Sequence, residues 1–216
     1  MIDSIDDFRR RLSEIDILIT YARSNQHSLD KYKLFNKMAV VLLCSHFEMF
    51  VEAFIAEHVD LLKACYDSIT MPQYMKDNFI NDTFKAYKNV PQPSKKQRPL
   101  RALFLLHGDK HLDMKVLNDL VLDVKYGFGK HGQDITDKLF KKFGFAEFVS
   151  TQTYREVFSK INSSIAIRNN IIHEGSASTV SHNDVIDYKN SYLQFVDMLE
   201  KYVIDNQVIY YGRIVY

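Results

Sequence analysis

The sequence is poor in the residues that define several protein classes. Its 216 residues include two cysteines, four prolines, seven glycines and no tryptophan. Two cysteines exclude a disulfide-stapled scaffold, and we expect Cys44 and Cys65 to be small buried residues of helices. So little proline and glycine excludes a collagen-like or low-complexity chain. The 46% of hydrophobic and 25% of charged residues are ordinary for one globular domain, or for a core domain carrying an insertion.

Long hydrophobic runs and an excess of one charge are also missing. The longest unbroken apolar run, Met38–Cys44, is far shorter than the roughly 18 residues of a membrane-spanning helix. The first residues do not form a basic-then-apolar leader, so we expect a cytoplasmic protein without a membrane partner. A formal net charge of +1 creates no global field for a polyanion, so any nucleic-acid binding has to come from a local patch.

Helical periodicity is the strongest pattern that the sequence contains. Apolar residues recur at three and four positions over about 4–24, 29–66, 153–175 and 181–205. Ser4 with Asp7, and Ser181 with Asp184, have the spacing of capping boxes and predict where the first and fourth helices begin. In the second helix, Met38–Phe54 is apolar on most sides. We therefore expect that helix to be central and buried.

The stretch from about 67 to 150 breaks into short pieces, with a Pro-rich loop expected at 91–99 and short helices near 112–124 and 135–143. Because no flexible linker borders it, we interpret it as an insertion between the second and third core helices. The tail 207–216, rich in Val, Ile and Tyr, predicts a short extended strand. The expected fold is an all-α helical bundle of one domain, with a helical insertion and an extended C-terminal tail.

The usual catalytic and metal-binding signatures are absent from the sequence. It has no G-x-S-x-G elbow, no phosphate-binding glycine loop ending in Lys-Ser/Thr, no H-E-x-x-H and no C-x-x-C pair. His107 and His111 have helical spacing, but the sequence offers no further ligands nearby for a zinc ion. We therefore expect neither a metal nor a cofactor.

One polar segment interrupts the apolar pattern, at 168–175, where the third core helix should end. Asn169 and Asn170 are poor helix formers at positions where propensity favours other residues. Such local conflicts are typical of functional sites. Asn169 and His173 are four residues apart and share a helix face, so the amide could orient the imidazole.

These residues resemble the signature of the HEPN superfamily, which is an arginine, a polar residue directly after it, and a histidine after four residues at a helix end. Arg168, Asn169 and His173 match that pattern. The upstream segment 45–52, Ser-His-Phe-Glu-Met-Phe-Val-Glu, resembles the "sxFE" segment of the RiboL-PSP type, with Glu48 as its acidic residue. The resemblance covers roughly 1–66 and 152–206. It implies an all-helical RNase or a relative of one, from a toxin–antitoxin or antiviral defence system.

The resemblance also implies a reaction, namely metal-independent cleavage by the 2′-hydroxyl of the RNA itself to leave a cyclic phosphate. The chemistry of the residues suits it, because the imidazole of His173 can exchange a proton near neutral pH and the guanidinium of Arg168 can hold phosphate oxygens. Asn169 and Glu48 would support them. On one helix Arg168 and His173 lie some 140° apart, so we expect a homodimer with a composite active site, as the resemblance implies.

Alternatives remain for this interpretation. Arg101 and His107 also fit the allowed spacing, but no polar residue follows Arg101, and we interpret that pair as a chance match. A structural role is also open for Arg168 and His173, as a solvated cation and a histidine favoured by the helix dipole. The whole chain could instead be a catalytically silent HEPN-like module that dimerises or docks another protein, such as an antitoxin.

A run of positive charge lies outside the resemblance. The sequence has no acidic residue between Asp82 and Asp109, and Phe84 and Tyr87 lie among the basic residues. One interpretation is a phosphate-tracking RNA-binding loop, and the other is an ordinary solvated loop. The six basic residues of this stretch are Lys85, Lys88, Lys95, Lys96, Arg98 and Arg101, of which the last four are our predicted RNA contacts.

Overall fold

The computed structural model describes residues 3–65, 71–88, 93–108, 114–126, 132–173 and 180–206. Within these ranges the chain forms nine helices and no strand, which confirms the all-α class. The predicted strand at 207–216 lies outside the described residues, as does the side chain of Cys65. The helices are α1 (Asp3–Ser24), α2 (Leu29–Cys65), α3 (Gln73–Lys88), α4 (Pro93–His107), α5 (Met114–Leu117), α6 (Gly132–Lys142), α7 (Ala146–Ser150), α8 (Gln152–His173) and α9 (His182–Asp205).

Four long helices, α1, α2, α8 and α9, form the core bundle that the periodicity predicts. The helices α1 and α8 run antiparallel to α2, and α9 runs parallel to it. These directions follow from paired contacts, since Glu14 of α1 lies against His46, and Ser164 of α8 lies against Cys44. Near the start of α9, Val180 accepts a hydrogen bond from Asn36 of α2.

Aromatic rings fill the centre of the core bundle, as the apolar middle of α2 predicts. Phe47 is fully buried, and its ring lies 4.7 Å from that of Tyr192 and 5.2 Å from that of Phe195. Burial of such rings supplies most of the hydrophobic stabilisation of a small domain. The side chain of Cys44 is also buried, as expected for a small core residue.

One of the two predicted capping boxes forms and the other does not. The Ser181 side chain accepts a hydrogen bond from the backbone N–H of Asp184, and the Asp184 carboxylate accepts one from the backbone N–H of Ser181. This capping box confirms the predicted start of α9. Ser4, in contrast, already lies inside α1. There the carboxylate of Glu57 accepts from the backbone N–H groups of Asp3 and Ser4, at 2.9 and 3.1 Å. A carboxylate from α2 satisfies these amides from across the bundle, so the predicted local cap is wrong.

The middle segment, defined here as residues 67–150, is helical in more places than the sequence predicts. The expected Pro-rich loop at 91–99 is wrong from Pro93 onwards, because α4 begins there and continues through the buried Pro99. Proline suits the first position of a helix, and Pro99 removes one backbone hydrogen bond without ending α4. The predicted helix near 112–124 is also wrong in extent, since among the described residues of that range Met114–Leu117 is helical and 121–124 has no regular secondary structure. The helix near 135–143 is confirmed as α6.

Among the described helices, one passes a length and composition test for crossing a membrane, over Leu29–Leu61 of α2. Just over half of its most apolar window, 56%, is buried inside the bundle. The core helix of a soluble protein has the same length and composition.

Candidate active site

The last turns of α8 carry the candidate catalytic residues beyond the buried part of the helix. The buried face of α8 ends at Ser164 and Ile165. Arg168 and Asn169 follow it and are half-buried, and His173 is exposed in the last turn. The helix therefore holds the arginine against the bundle and presents the imidazole to solvent.

Arg168 is oriented by its neighbour. Its Nη1 donates a hydrogen bond to Oδ1 of Asn169 at 3.0 Å. A guanidinium has five donors in a fixed plane, so one such bond restricts its orientation and leaves other donors for an anion. The expectation that the Asn169 amide orients His173 stays a prediction, because the contact described for this amide is with Arg168.

The charges of Arg168 and Glu48 both act on the buried thiol of Cys44, where α2 and α8 pack together. Burial raises the pKa of the Cys44 thiol. The positive charge of Arg168 lowers this pKa and the negative charge of Glu48 raises it, so both charges lie near the sulfur. Glu48 is half-buried on α2, one helical turn beyond Cys44. Over the described residues, no ion pair joins Glu48 to Arg168. A supporting role for Glu48 thus stays a prediction.

A buried polar cluster that sequence reasoning missed lies at this contact between α2 and α8. The hydroxyl of Tyr192 on α9 lies 2.8 Å from Oγ of Ser164 and 3.5 Å from Sγ of Cys44. Ser164 in turn donates to the carbonyl of Ile161 at 2.7 Å. Buried polar groups that satisfy one another fix the relative position of the helices that carry them. The signal in the sequence was a serine within the apolar stripe of α8, one turn before Arg168.

Arg168 and His173 are both on α8, five residues apart. On an ideal helix five residues correspond to about 500°, so the two side chains should leave α8 some 140° apart. One helix would then present the two groups poorly to a single phosphate, and a composite site stays a prediction.

The predicted RNA contacts lie on a different element. Lys95, Lys96, Arg98 and Arg101 are all on α4, so they belong to a helix and not to the loop that the sequence suggested. Lys96 is half-buried, and the other three side chains are exposed.

The described residues contain no group of three or more His, Cys, Asp or Glu side chains that could hold a metal ion. His111, the partner of His107 in the rejected zinc pair, lies outside the described residues. That the chemistry needs no metal stays a prediction.

Comparison with known protein families shows which family the chain belongs to. A model of the RiboL-PSP-HEPN family matches residues 6–205. The chain belongs to the RiboL-PSP-HEPN family. The match begins in α1 and ends in α9, and it runs through the middle segment as well as the core bundle. No curated protein and no solved structure matches the chain. Membership of a HEPN family agrees with the all-α bundle and suggests an RNase or nucleotide-binding role.

Proposed function

We propose that the chain is a metal-independent endoribonuclease with Arg168 and His173 as its catalytic residues. The observation that carries the proposal is the end of α8, where an exposed imidazole follows a half-buried, oriented guanidinium in a chain of a HEPN family.

The proposed reaction uses the nucleophile that RNA already carries. His173 takes the proton of the 2′-hydroxyl as its oxygen bonds to phosphorus. The bond from phosphorus to the 5′-oxygen breaks, and the protonated imidazole of His173 returns its proton to that oxygen, directly or through water. The products are a 2′,3′-cyclic phosphate and a 5′-hydroxyl. Arg168 holds the non-bridging oxygens while negative charge builds on them. DNA lacks the 2′-hydroxyl, so selectivity for RNA follows from the mechanism.

A second copy of the chain would complete the site, since one α8 cannot aim both groups at one phosphate. The surface that we propose for this contact is an apolar groove of about 420 Å³ between α1, α2 and α8. Ile171, which lies between Arg168 and His173 on α8, is one of its walls. Met38 in the same groove is 47% exposed. A two-fold contact there would bury these apolar groups and bring two α8 ends together.

RNA cleavage by the full chain, with and without EDTA, tests the proposal. We expect His173→Ala to lower the cleavage rate by about 10²- to 10⁴-fold, the usual contribution of a general acid–base. His107→Ala is the matched control, because His107 is also exposed in the last turn of a helix and belongs to the chance Arg–His pair. Equal cleavage by wild type and His173→Ala, or no cleavage by wild type, would favour a non-catalytic module.

Mixing two inactive variants in the same assay tests whether the site is shared. If Arg168 of one copy works with His173 of the other, Arg168→Ala and His173→Ala chains form mixed dimers with one intact site. Half of the dimers in an equal mixture are mixed, so about a quarter of wild-type activity returns. A site within one chain would stay inactive in the mixture.

We place this activity in the cytoplasm, as the effector of a toxin–antitoxin or antiviral defence system with an antitoxin or another defence protein as its partner. Support comes from HEPN membership and from the proposed reaction, since uncontrolled RNA cleavage is toxic to the cell that makes the enzyme. Growth arrest on expression of wild type but not of His173→Ala supports this role.

A further inference from the structure

A narrow apolar groove lies between α3 and α4 in the middle segment. Its volume is about 190 Å³, and it is separate in its residues from Arg168 and His173. On α3 it is lined by residues of two successive turns, and on α4 by residues spaced three and four apart, so each helix contributes one face. The lining residues are Thr83, Phe84, Tyr87 and Lys88 of α3, and Lys96, Pro99, Leu100 and Leu103 of α4.

Apolar side chains are exposed along this groove. The side chain of Phe84 is 61% exposed and that of Leu100 is 52% exposed. An aromatic face with open space in front of it is a surface on which a planar ring can stack. The Phe84 and Tyr87 rings belong to successive turns of α3, so they face the groove from the same side.

Positive charge borders the groove on both helices. Lys88 at the end of α3 and Lys96 near the start of α4 both line it. The sequence between Asp82 and Asp109 holds no acidic residue to neutralise them. Asp82 itself is buried, and Nζ of Lys142 donates to its carboxylate at 2.5 Å. Among the residues that line the groove, Lys88 and Lys96 are the charged ones, and both are basic.

We propose that this groove takes one unstacked base of single-stranded RNA, while Lys88 and Lys96 bind the phosphates on either side of it. The proposal rests on the proposed function and gives the enzyme a second contact with its substrate. A partner helix, the other common occupant of apolar grooves, is about 10–12 Å across and docks through several anchors along its length. A groove of 190 Å³ is below the roughly 300–1,000 Å³ of pockets for drug-sized ligands and fits one ring better.

Fluorescence anisotropy of the full chain with a labelled 2′-O-methyl oligouridine tests the groove without cleavage, because this probe lacks the 2′-hydroxyl nucleophile. We expect Phe84→Ala to weaken binding about 5- to 100-fold, as is typical when one base loses its stacking partner. Lys96→Gln should weaken binding and lower the slope of log K against log salt by about one.

Two controls separate base stacking from general attraction. Phe104→Ala removes a 75% exposed ring from α4 that is not part of the groove, and it should bind the probe as wild type does. An abasic oligonucleotide has phosphates but no bases, so wild type and Phe84→Ala should bind it equally. Lys160→Gln changes an exposed lysine of the core bundle and should leave the salt slope unchanged.

The outcomes distinguish this proposal from the catalytic one. Loss of binding in Phe84→Ala supports the groove even if the wild type cleaves no RNA. Wild-type binding by Phe84→Ala overturns the groove, even if His173→Ala abolishes cleavage. Equal loss for the abasic and the normal probe also overturns it, because Phe84 would then act on the fold of α3.

Discussion

The core bundle and the middle segment differ in what holds their pieces together. In the core bundle, long apolar stripes meet along whole helices, and the ring of Phe47 alone contacts rings from α1, α8 and α9. In the middle segment, buried rings such as Phe79, Phe140 and Phe143 pack from shorter pieces, and single polar side chains also tie those pieces to one another. Oγ1 of Thr83 accepts a hydrogen bond from the backbone N–H of Val121 at 2.9 Å. The buried carboxylate of Asp82 accepts one from the backbone N–H of Asp123, also at 2.9 Å.

The two regions share one hydrophobic core, in which Phe54 packs on Phe140 and Phe195 packs on Phe148. Individual hydrogen bonds add to this packing. Glu52 of α2 accepts from the backbone N–H of Tyr126 at 3.0 Å, and Asn162 of α8 accepts from that of Gln133 at 3.2 Å. Apolar packing is non-directional and spread over many atoms, whereas a buried hydrogen bond is lost as a unit. The candidate catalytic residues thus lie at the end of a long core helix, and the proposed base groove lies among shorter helices where individual hydrogen bonds supplement the apolar packing.

The largest expected difference between the regions is in the cost of removing a ring. Phe47→Ala should lower the free energy of unfolding by about 3–5 kcal/mol, because it empties the centre of the core bundle. Phe104→Ala in the middle segment should change it by less than about 0.5 kcal/mol, since that ring is mostly in solvent. Urea unfolding followed by circular dichroism measures both. Equal costs would show that the ring of Phe47 is not packed at the centre of the core bundle.

The same difference explains which parts of the fold the sequence predicts. The repeat of Val157, Phe158, Ile161 and Ile165 determines both that α8 is a helix and which face it buries, so the four long helices were found with nearly correct ends. The middle segment has no such repeat. Its short pieces are fixed by partners distant in sequence, such as Lys142 for Asp82, and periodicity carries no information about those pairs.

The candidate site was partly predictable for the same reason. Local signals located Arg168 and His173 at a helix end, because asparagines in the last turns of an apolar helix are a conflict visible in the sequence. The cluster of Cys44, Ser164 and Tyr192 could not be predicted, since it depends on the rotation of three helices about their axes.

A smaller effect is expected where a histidine of the core bundle meets the middle segment. Nε2 of His58 lies 3.2 Å from the carbonyl of Phe143, and burial lowers the pKa of this imidazole to about 4, against an ordinary value of about 6.5. Above pH 6.5 the imidazole is neutral in the folded and in the unfolded chain, so its burial does not lower the free energy of unfolding by opposing protonation. As the pH falls from 6.5 towards 4, the imidazole binds a proton in the unfolded chain but stays neutral in the folded chain. The free energy of unfolding therefore falls by about 1.4 kcal/mol per pH unit. We expect a loss of up to about 3 kcal/mol by pH 4.

His58→Gln separates this contribution from the titration of carboxylates. Glutamine keeps an N–H donor for the carbonyl of Phe143 but does not titrate, so its stability should fall less between pH 6.5 and pH 4. Urea midpoints at several pH values, with wild type measured alongside, give the difference between the two slopes. Parallel slopes would mean that His58 binds its proton equally well in both states.

The smallest effect is expected at the second junction, where α6 begins against α8. Gly132 has φ = 31°, and a Cβ at this position would lie 2.4 Å from Oδ1 of Asn162. Gly132→Ala should therefore lower the free energy of unfolding by about 1–2 kcal/mol. Part of this cost is backbone strain, and part comes from displacing the Asn162 side chain, whose Oδ1 accepts a hydrogen bond from the backbone N–H of Gln133. In an Asn162→Ala background the displaced oxygen is gone, so the same substitution should cost less. If the two costs are equal, the strain is all in the backbone, and Asn162 does not join the middle segment to the core bundle through this contact.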